Sequence, residues 1–421
     1  MRGPIGYFVH HQGRGHAERC AAVVNALPLD QPVTVFCART DIFPDFNRPV
    51  EMVKLPSLFE ATGDEDIEDT TRPPDTVHCA PLGWPGIRRA MATLAGWFAS
   101  DNPVLMISDV SAEVAQLSRI CSVPHVMVLQ HGARGDAGHT AAYDGAAGIL
   151  CAADEALAQT DWPDSMRRKT HFAGGLGVSV TRPDAGARNR ARRRLGVPSG
   201  ARMILVMSGG GGSGFASAPL GVGARAVPDA QWITIGQIAR DWHATEPANL
   251  RHDGWVDDVA SYLAAADVVI ASTGNTTCHQ ILAAERPWLA IPEWRYFDEQ
   301  VEKARALDRA GAATHQAAFP SSVEHWAVAL SRTLQTHDPA RQRALVRSDA
   351  AQTTADWLVA LAARLRPSNP IAIPISSPQK GSDHAERRDV SRPLHTVPQP
   401  AHATASGQRS NPRTGAGGAS A

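Results

Sequence analysis

The sequence has little cysteine, no excess of charge and no long apolar run, and each shortage closes off a class of function. Its six cysteines are scattered over 421 residues, with no Cys-x-x-Cys pair. That spacing supports neither a disulfide framework nor a cysteine zinc site, and it fits a reducing compartment. Basic and acidic residues balance at 41 against 42, so no overall field draws the chain to nucleic acid. No segment is apolar for long enough to span a bilayer. The first residues, Met1-Arg2-Gly3-Pro4-Ile5-Gly6-Tyr7, lack the apolar stretch of a signal peptide. A soluble cytoplasmic protein is expected, with a peripheral contact at the inner face of the membrane left open.

What is present is an alternation of strand-like and helical patterns, which predicts an α/β chain with parallel sheets and crossover helices. Residues 5–9, 33–37, 104–108, 126–130 and 146–151 are short apolar runs of strand length, and 17–27 and 111–121 read as helices. Ile87, Met91, Leu94 and Phe98 recur at helical spacing, so 87–98 is expected to be a helix with one buried face. Residues 60–80 are acidic, polar and proline-containing, as a long loop would be. A turn-rich stretch within 174–187 separates two halves, and a basic helix, 188–195, opens the second. From Pro367 onward the chain is rich in Pro, Ser, His and Gly, too poor in apolar pattern to offset the entropy of ordering. The expected organisation is a domain over 1–180, a second over 181–366 and a disordered tail over 367–421.

Polar clusters follow the strands, where an open α/β sheet presents its ligand-binding edge. The first is His10-His11-Gln12-Gly13-Arg14-Gly15-His16. Its glycines let backbone N–H groups approach a ligand, and His16 stands at a helix start, where an imidazole can take a proton near neutral pH. Asp109 and His131 each follow a strand of the first half and are expected to face the cleft on the acceptor side. The second cluster is the glycine run 209–214, whose amides suit a diphosphate. It is no Walker loop, since no Gly-Lys-Ser/Thr follows, and no acidic residue sits where a dinucleotide fingerprint needs one. The third is Ser272-Thr273-Gly274-Asn275-Thr276-Thr277 at a helix start, which suits an anion, although Thr273 or Asn275 could equally be a plain N-cap. The fourth, Asp298-Glu299-Gln300, offers a carboxylate and an amide to sugar hydroxyls, or simply a solvated helix start.

Other signals weigh less. Asp64-Glu65-Asp66 matches an Asp-x-Asp metal motif only in letters, because no strand precedes it. The three histidines of the first loop have no carboxylate or cysteine at a ligand spacing, so no metal is expected. Arg188, Arg190, Arg192, Arg193 and Arg194 lack interleaved aromatics and read as a surface helix. Trp84, Arg88, Arg89, Trp97 and Phe98 leave an amphipathic lipid contact open, against ordinary core packing of the same stripe.

Together these motifs resemble those of GT-B glycosyltransferases, most closely the family 28 group that includes MurG and the diacylglycerol glycosyltransferases. The resemblance runs to about Arg366 and is most specific in the second half. There the order is strand and glycine loop, Gly254-Trp255-Val256-Asp257-Asp258, Ala266-Asp267-Val268-Val269-Ile270, Ser272-Thr273-Gly274, and Asp298-Glu299-Gln300 after Pro292. It implies two Rossmann-like domains facing a central cleft, with a nucleoside-diphosphate sugar, by expectation a UDP-sugar, bound to the second. By the same resemblance the backbone at Val256 reads the base. Gly211, Gly212 and Ser213 face the diphosphate with Thr273, Gly274 and Asn275, and Glu299 and Gln300 hold the sugar. Gly13-Arg14-Gly15-His16 looks like the family's glycine-rich loop, with His16 as base.

Two departures stand out. Gln280 occupies the place of a ribose-binding glutamate, and Glu299-Gln300 replaces a pair of glutamines. The implied reaction is an inverting hexosyl transfer to an acceptor hydroxyl, without metal or cofactor, the nucleotide sugar being substrate. The motifs leave the acceptor open among lipid, glycan and small molecule. A nucleotide-sugar 2-epimerase on the same architecture and a non-catalytic sugar-nucleotide-binding protein remain alternatives.

Overall fold

The computed structural model describes residues 3–58, 74–178, 184, 186–210, 212, 214–240 and 245–365. Gly211 and Ser213, the Asp64-Glu65-Asp66 motif, linker residues 179–183 and the tail from Pro367 lie outside the described residues.

The first half builds a seven-stranded sheet from β1 (Ile5–Val9), β2 (Val33–Cys37), β3 (Glu51–Lys54), β4 (Leu105–Ser108), β5 (His125–Leu129), β6 (Gly148–Cys151) and β7 (Thr170–Phe172). Their order is β3-β2-β1-β4-β5-β6-β7, and the pairings are parallel. The inner strands are buried along their whole length, which is why Ile-Gly-Tyr-Phe-Val and Val-Thr-Val-Phe-Cys read as continuous apolar runs rather than alternating ones.

The second half repeats the plan. Its strands are β8 (Arg202–Ser208), β9 (Phe215–Ala216), β10 (Ala230–Gly236), β11 (Ile238–Ala239), β12 (Leu250–Gly254), β13 (Val268–Ala271), β14 (Trp288–Ala290) and β15 (Thr314–His315). Six of them form a parallel sheet in the order β12-β10-β8-β13-β14-β15, while β9 and β11 pair as a separate ladder. In both sheets the chain winds outward one way from the first strand and then returns to lay the fourth strand on its other side. The carboxyl ends of β1 and β4, and of β8 and β13, are therefore two topological switch points, the places where such sheets bind ligands.

Helix Pro85–Asp101 contains the predicted 87–98 segment and starts on a proline, whose missing N–H costs nothing at a first helical position. Trp97 and Phe98 are buried in its core face beside Phe36 and Leu94. They are thus unavailable for the amphipathic lipid contact, and the ordinary core reading of the stripe holds. Burying each such side chain stabilises the fold by roughly 2–3 kcal/mol. No described helix is long and apolar enough to cross a membrane.

The basic helix, Ala187–Leu195, also has a structural role. Arg192 is buried, with its guanidinium paired to Asp267 at 2.5 Å and donating to the carbonyls of Ser199 and Ala201. It staples the second half's opening helix to β8 and β13.

The last described helix, Ala350–Leu365, crosses back to the first sheet. Ala350, Ala355, Leu358 and Leu361 share a core with Ile5, Tyr7, Val9 and Val128. Trp357 stacks on His171 of β7 with ring centroids 4.9 Å apart. The segment 181–366, read as a second domain, therefore lends its final helix to the first core. No local pattern distinguishes a helix that packs on its own sheet from one that packs on its neighbour's.

Candidate functional site

At the first switch point, β1 runs into Gly13, whose φ of +88° only glycine adopts freely, and helix Arg14–Ala26 begins with no side-chain cap on its N–H groups. His16 lies in its first turn. At the end of β4, Asp109 is fully buried and its N–H bonds Phe8 O at 3.0 Å. Val110 follows with φ +61°, a strained conformation for a β-branched residue, before Ser111 caps the next helix. That kink aims the Asp109 carboxylate back under the helix. It meets His16 Nδ1 at 2.9 Å and Arg19 Nη2 at 2.6 Å. Arg19 Nε reaches its other oxygen at 3.2 Å, making a two-pronged pair.

The electrostatics follow from that packing. Burial alone would raise the Asp109 carboxyl, but Arg19 and His16 outweigh it and hold it down to about 2. Burial opposes charge on Arg19 too, yet Asp109 drives its guanidinium upward on balance. The buried pair is therefore locked as ions. Only His16, 16% exposed, reaches the cleft from this cluster. His10 packs against it at 5.3 Å between ring centroids, and burial, reinforced by His16 and His11, takes His10 down to about 3. Arg14 is exposed beside it.

His131, after β5, is buried and donates from Nε2 to Leu157 O at 2.7 Å. Burial first and Lys303 second lower it to about 3, so it stays neutral. It is thus buried against Leu157 rather than exposed to the cleft as expected. Gly132 follows with φ +119°, and a methyl group there would lie 2.5 Å from Phe297 O, so glycine is what lets the two halves touch here.

At the second switch point, β8 ends at Ser208 and the glycine run begins. The Trp255 ring lies against Gly210, and Arg295 lies against Gly212. Trp255 is 67% exposed, an open aromatic face beside the run. After β13, helix Asn275–Ala284 starts at Gly274 with no side-chain cap and no acidic residue in its first turn. Neither Thr273 nor Asn275 is the plain N-cap, so the first N–H groups of this helix are unclaimed by a capping side chain. A methyl group on Gly15 would lie 2.9 Å from Thr276 Oγ1, so the two uncapped helix starts face each other at close range.

Not every predicted donor residue lines that space. Thr273 is fully buried and its hydroxyl donates to Gln300 O at 2.6 Å. The Gln300 side-chain oxygen accepts from Thr273 N at 3.2 Å and Glu293 N at 2.8 Å. These two residues form a brace beneath the floor that ties the loops after β13 and β14 together. Glu299 is nearer the surface and pairs with Lys303 at 3.4 Å, and Lys303 also donates to Asn275 Oδ1. Burial would raise the Glu299 carboxyl, but Lys303, Arg134, His16 and His131 together lower it. Its charge thus senses both halves of the cleft. Gln280 and Val256 are half-buried on the second half.

Sequence reasoning missed Arg19, Lys303 and Arg295. Arg19 follows His16 by three positions and Lys303 follows Glu299 by four, so helical spacing was the available signal for both. Arg295 carried none, because its place against Gly212 depends on the turn after β14.

Comparison with known proteins agrees with this geometry. Residues 240–344 match the glycosyltransferase family 28 C-terminal domain. A UDP-N-acetylglucosamine–N-acetylmuramyl-(pentapeptide) pyrophosphoryl-undecaprenol N-acetylglucosamine transferase of Salinibacter ruber is 30% identical over 203 residues, 44% of this chain and 52% of the relative. Its namesake from Sorangium cellulosum is 45% identical over 60 residues, 14% of this chain and 15% of that one. The chain thus spans about half the length of the first curated relative and less of the second. Among solved structures, MurG of Acinetobacter baumannii superposes with a TM-score of 0.53 at 13% identity, covering 85% of this chain and 99% of that one. The glycotransferase of kitacinnamycin gives 0.57 at 16% identity, covering 86% and 99%. Phytolacca americana UGT2, complexed with UDP-2fluoro-glucose and pterostilbene, gives 0.59 at 12% identity, covering 86% and 99%. The fold is GT-B, and the chain is MurG-like.

Proposed function

We propose that this chain is a glycosyltransferase that moves a hexose-type sugar from a nucleoside-diphosphate sugar, a UDP-sugar by preference, to an acceptor hydroxyl. The observation that carries the reading is the pair of switch points facing each other. One offers a histidine held by a buried carboxylate, and the other an uncapped helix start beside a glycine run.

The chemistry divides between them. His16 Nδ1 lies within reach of Asp109 and of Arg19, also at 2.9 Å. In the tautomer that donates Nδ1–H to Asp109, Nε2 carries a lone pair and can take the acceptor's hydroxyl proton. The hydroxyl oxygen then attacks the anomeric carbon as the bond to the diphosphate breaks, inverting the configuration. The nucleoside diphosphate leaves with the bonding electrons. Asp109 stabilises the imidazolium that forms, and Arg19 keeps Asp109 ionised. On the other side, N–H groups near Gly274 and Asn275, with Gly211, Gly212 and Ser213, receive the diphosphate. Lys303 and Arg295 supply positive charge there, in place of a metal. Glu299 holds the sugar, Val256 and Gln280 the nucleoside, and the Thr273–Gln300 brace positions the floor.

His16→Ala is the test. Turnover should fall roughly 10²- to 10⁴-fold, while calorimetric affinity for the nucleotide sugar stays as it was. Near-wild-type turnover would remove His16 as base. Absence of binding by UDP-, GDP- and dTDP-sugars alike, in folded protein, would remove the transferase reading itself. Turnover should also persist in EDTA, and its loss there would overturn the metal-free part.

A further inference from the structure

We propose that His78, Asp136 and His139 form a binding site for a divalent transition-metal ion, zinc being the best match. The site lies on the first half, against Phe297 of the second, and stands whether or not the chain transfers sugars.

One ligand atom from each of the three residues lies within 4.8 Å of the others. Two come from a short helix start: Asp136 caps helix Ala137–Gly145, and His139 sits in its first turn with Nδ1 2.6 Å from Asp136 Oδ2. The third arrives from the loop before helix Pro85–Asp101, and its ring centroid is 4.3 Å from that of His139. His78 lies 58 positions from Asp136 and 61 from His139, so tertiary packing brings them together. Gly138 makes room for it, since a methyl group there would lie 2.6 Å from His78 N.

The donor set selects the ion. Two imidazoles and one carboxylate suit zinc, cobalt or nickel, whereas calcium and magnesium prefer oxygen ligands. Zinc held at its usual bond lengths sets neighbouring ligands about 3.3 Å apart. The cluster reaches that spacing by side-chain rotation of His78 and Asp136, both accessible, against the buried His139. Three protein ligands leave a fourth position open, the arrangement of sites that take water or a substrate oxygen.

Two neighbours bear on the site. Phe297 of the second half packs on both rings, with centroids 5.0 Å from His78 and 5.2 Å from His139. Its φ of +63°, followed by +53° at Asp298, makes it a strained turn leading directly into Glu299. The ion would therefore sit behind the turn that carries a donor-side carboxylate. Arg134 is the opposing charge: its Nη1 lies 3.2 Å from His139 Nε2. In the same position its Nη2 donates to Gln130 Oε1 at 3.1 Å and its guanidinium lies over the Phe297 ring, so a cation would enter against its charge.

Isothermal titration of the full chain with zinc chloride, after EDTA has been dialysed away, tests the assignment. We expect one ion per chain, with calcium and magnesium giving no heat. His78→Ala and Asp136→Asn should each weaken binding about tenfold or more, while circular dichroism of the metal-free variants matches the wild type. Asp136→Asn retains the helix cap, so it serves if His78→Ala folds poorly. Arg134→Gln should bind zinc more tightly. Cobalt should give the strong visible absorption of a four-coordinate ion without a thiolate charge-transfer band. No binding, equal binding by wild type and both ligand variants, or a thiolate band would overturn the proposal, the last by placing the ion on cysteines.

Discussion

The two sheets share the order of their first six strands and the same switch points, yet they furnish them in opposite ways. The first switch point is made of side chains: a buried carboxylate, a buried guanidinium and one imidazole that reaches the cleft. The second is made largely of backbone, with an uncapped helix start and a glycine run, edged by Trp255 and Arg295. The contrast teaches that the fold supplies a place and not a chemistry. A buried ion pair fixes one group rigidly and can set its protonation. Exposed amides cradle a large anion without committing to a protonation state.

The sharpest way to break the contrast is to remove the charge at the first point. Asp109→Asn leaves Arg19 buried with a neutral partner, which should cost about 3–5 kcal/mol of stability and also cost His16 its orienting anion. Urea unfolding measures the first effect and the rate with nucleotide sugar the second. A loss of stability under 1 kcal/mol would mean that the first site is not built on a buried ion pair.

Acid sharpens the comparison next. His131 of the first half and His279 of the second are both held neutral by burial, down to about 3. The unfolded chain takes up protons near the ordinary histidine value, so stability is full above that value and falls as pH drops from about 6.5 towards 3. Each should cost roughly 0.5–1 kcal/mol between pH 7 and pH 6, in denaturation midpoints measured at both. Asp109 works in a lower window. Its depressed value makes its contribution complete above the ordinary carboxylate range and lost as pH falls towards 2. A stability flat from pH 7 to 5 would show that the two histidines are not held neutral.

The smallest effect belongs to the second point. Thr273→Val deletes the hydroxyl that donates to Gln300 O and should cost about 1 kcal/mol, with nucleotide-sugar affinity reduced far less than by Glu299→Ala. Equal loss of affinity in both variants would put Thr273 in contact with ligand and dissolve the brace.

Much of this was open to reading along the chain. The buried parallel strands announce themselves as unbroken apolar runs, so both sheets and their alternation with helices could be anticipated from 5–9, 33–37 and 203–207. The polar clusters lie where those runs end, and the loop with His16 and the Ser272–Asn275 segment both fall at switch points. Those are local facts, dictated by burial on both faces of a strand and by glycine's conformational freedom.

Other features needed the third dimension. Nothing near Asp109 in the chain says that Arg19 and His16 will meet it, because the contact spans the sheet from β1 to β4. His131 resembles an acceptor residue until burial turns it inward, and Thr273 and Gln300 resemble ligands until their hydrogen bonds close on each other. His78 joins His139 only through packing, and the helix at 350–365 returns to a core far from it in sequence. The sequence by itself determined the elements, their class and where ligands should collect, since those follow from short-range pattern. Only the tertiary structure decided which polar groups spend their hydrogen bonds on one another and which remain for a ligand, since that depends on what burial brings within 3 Å.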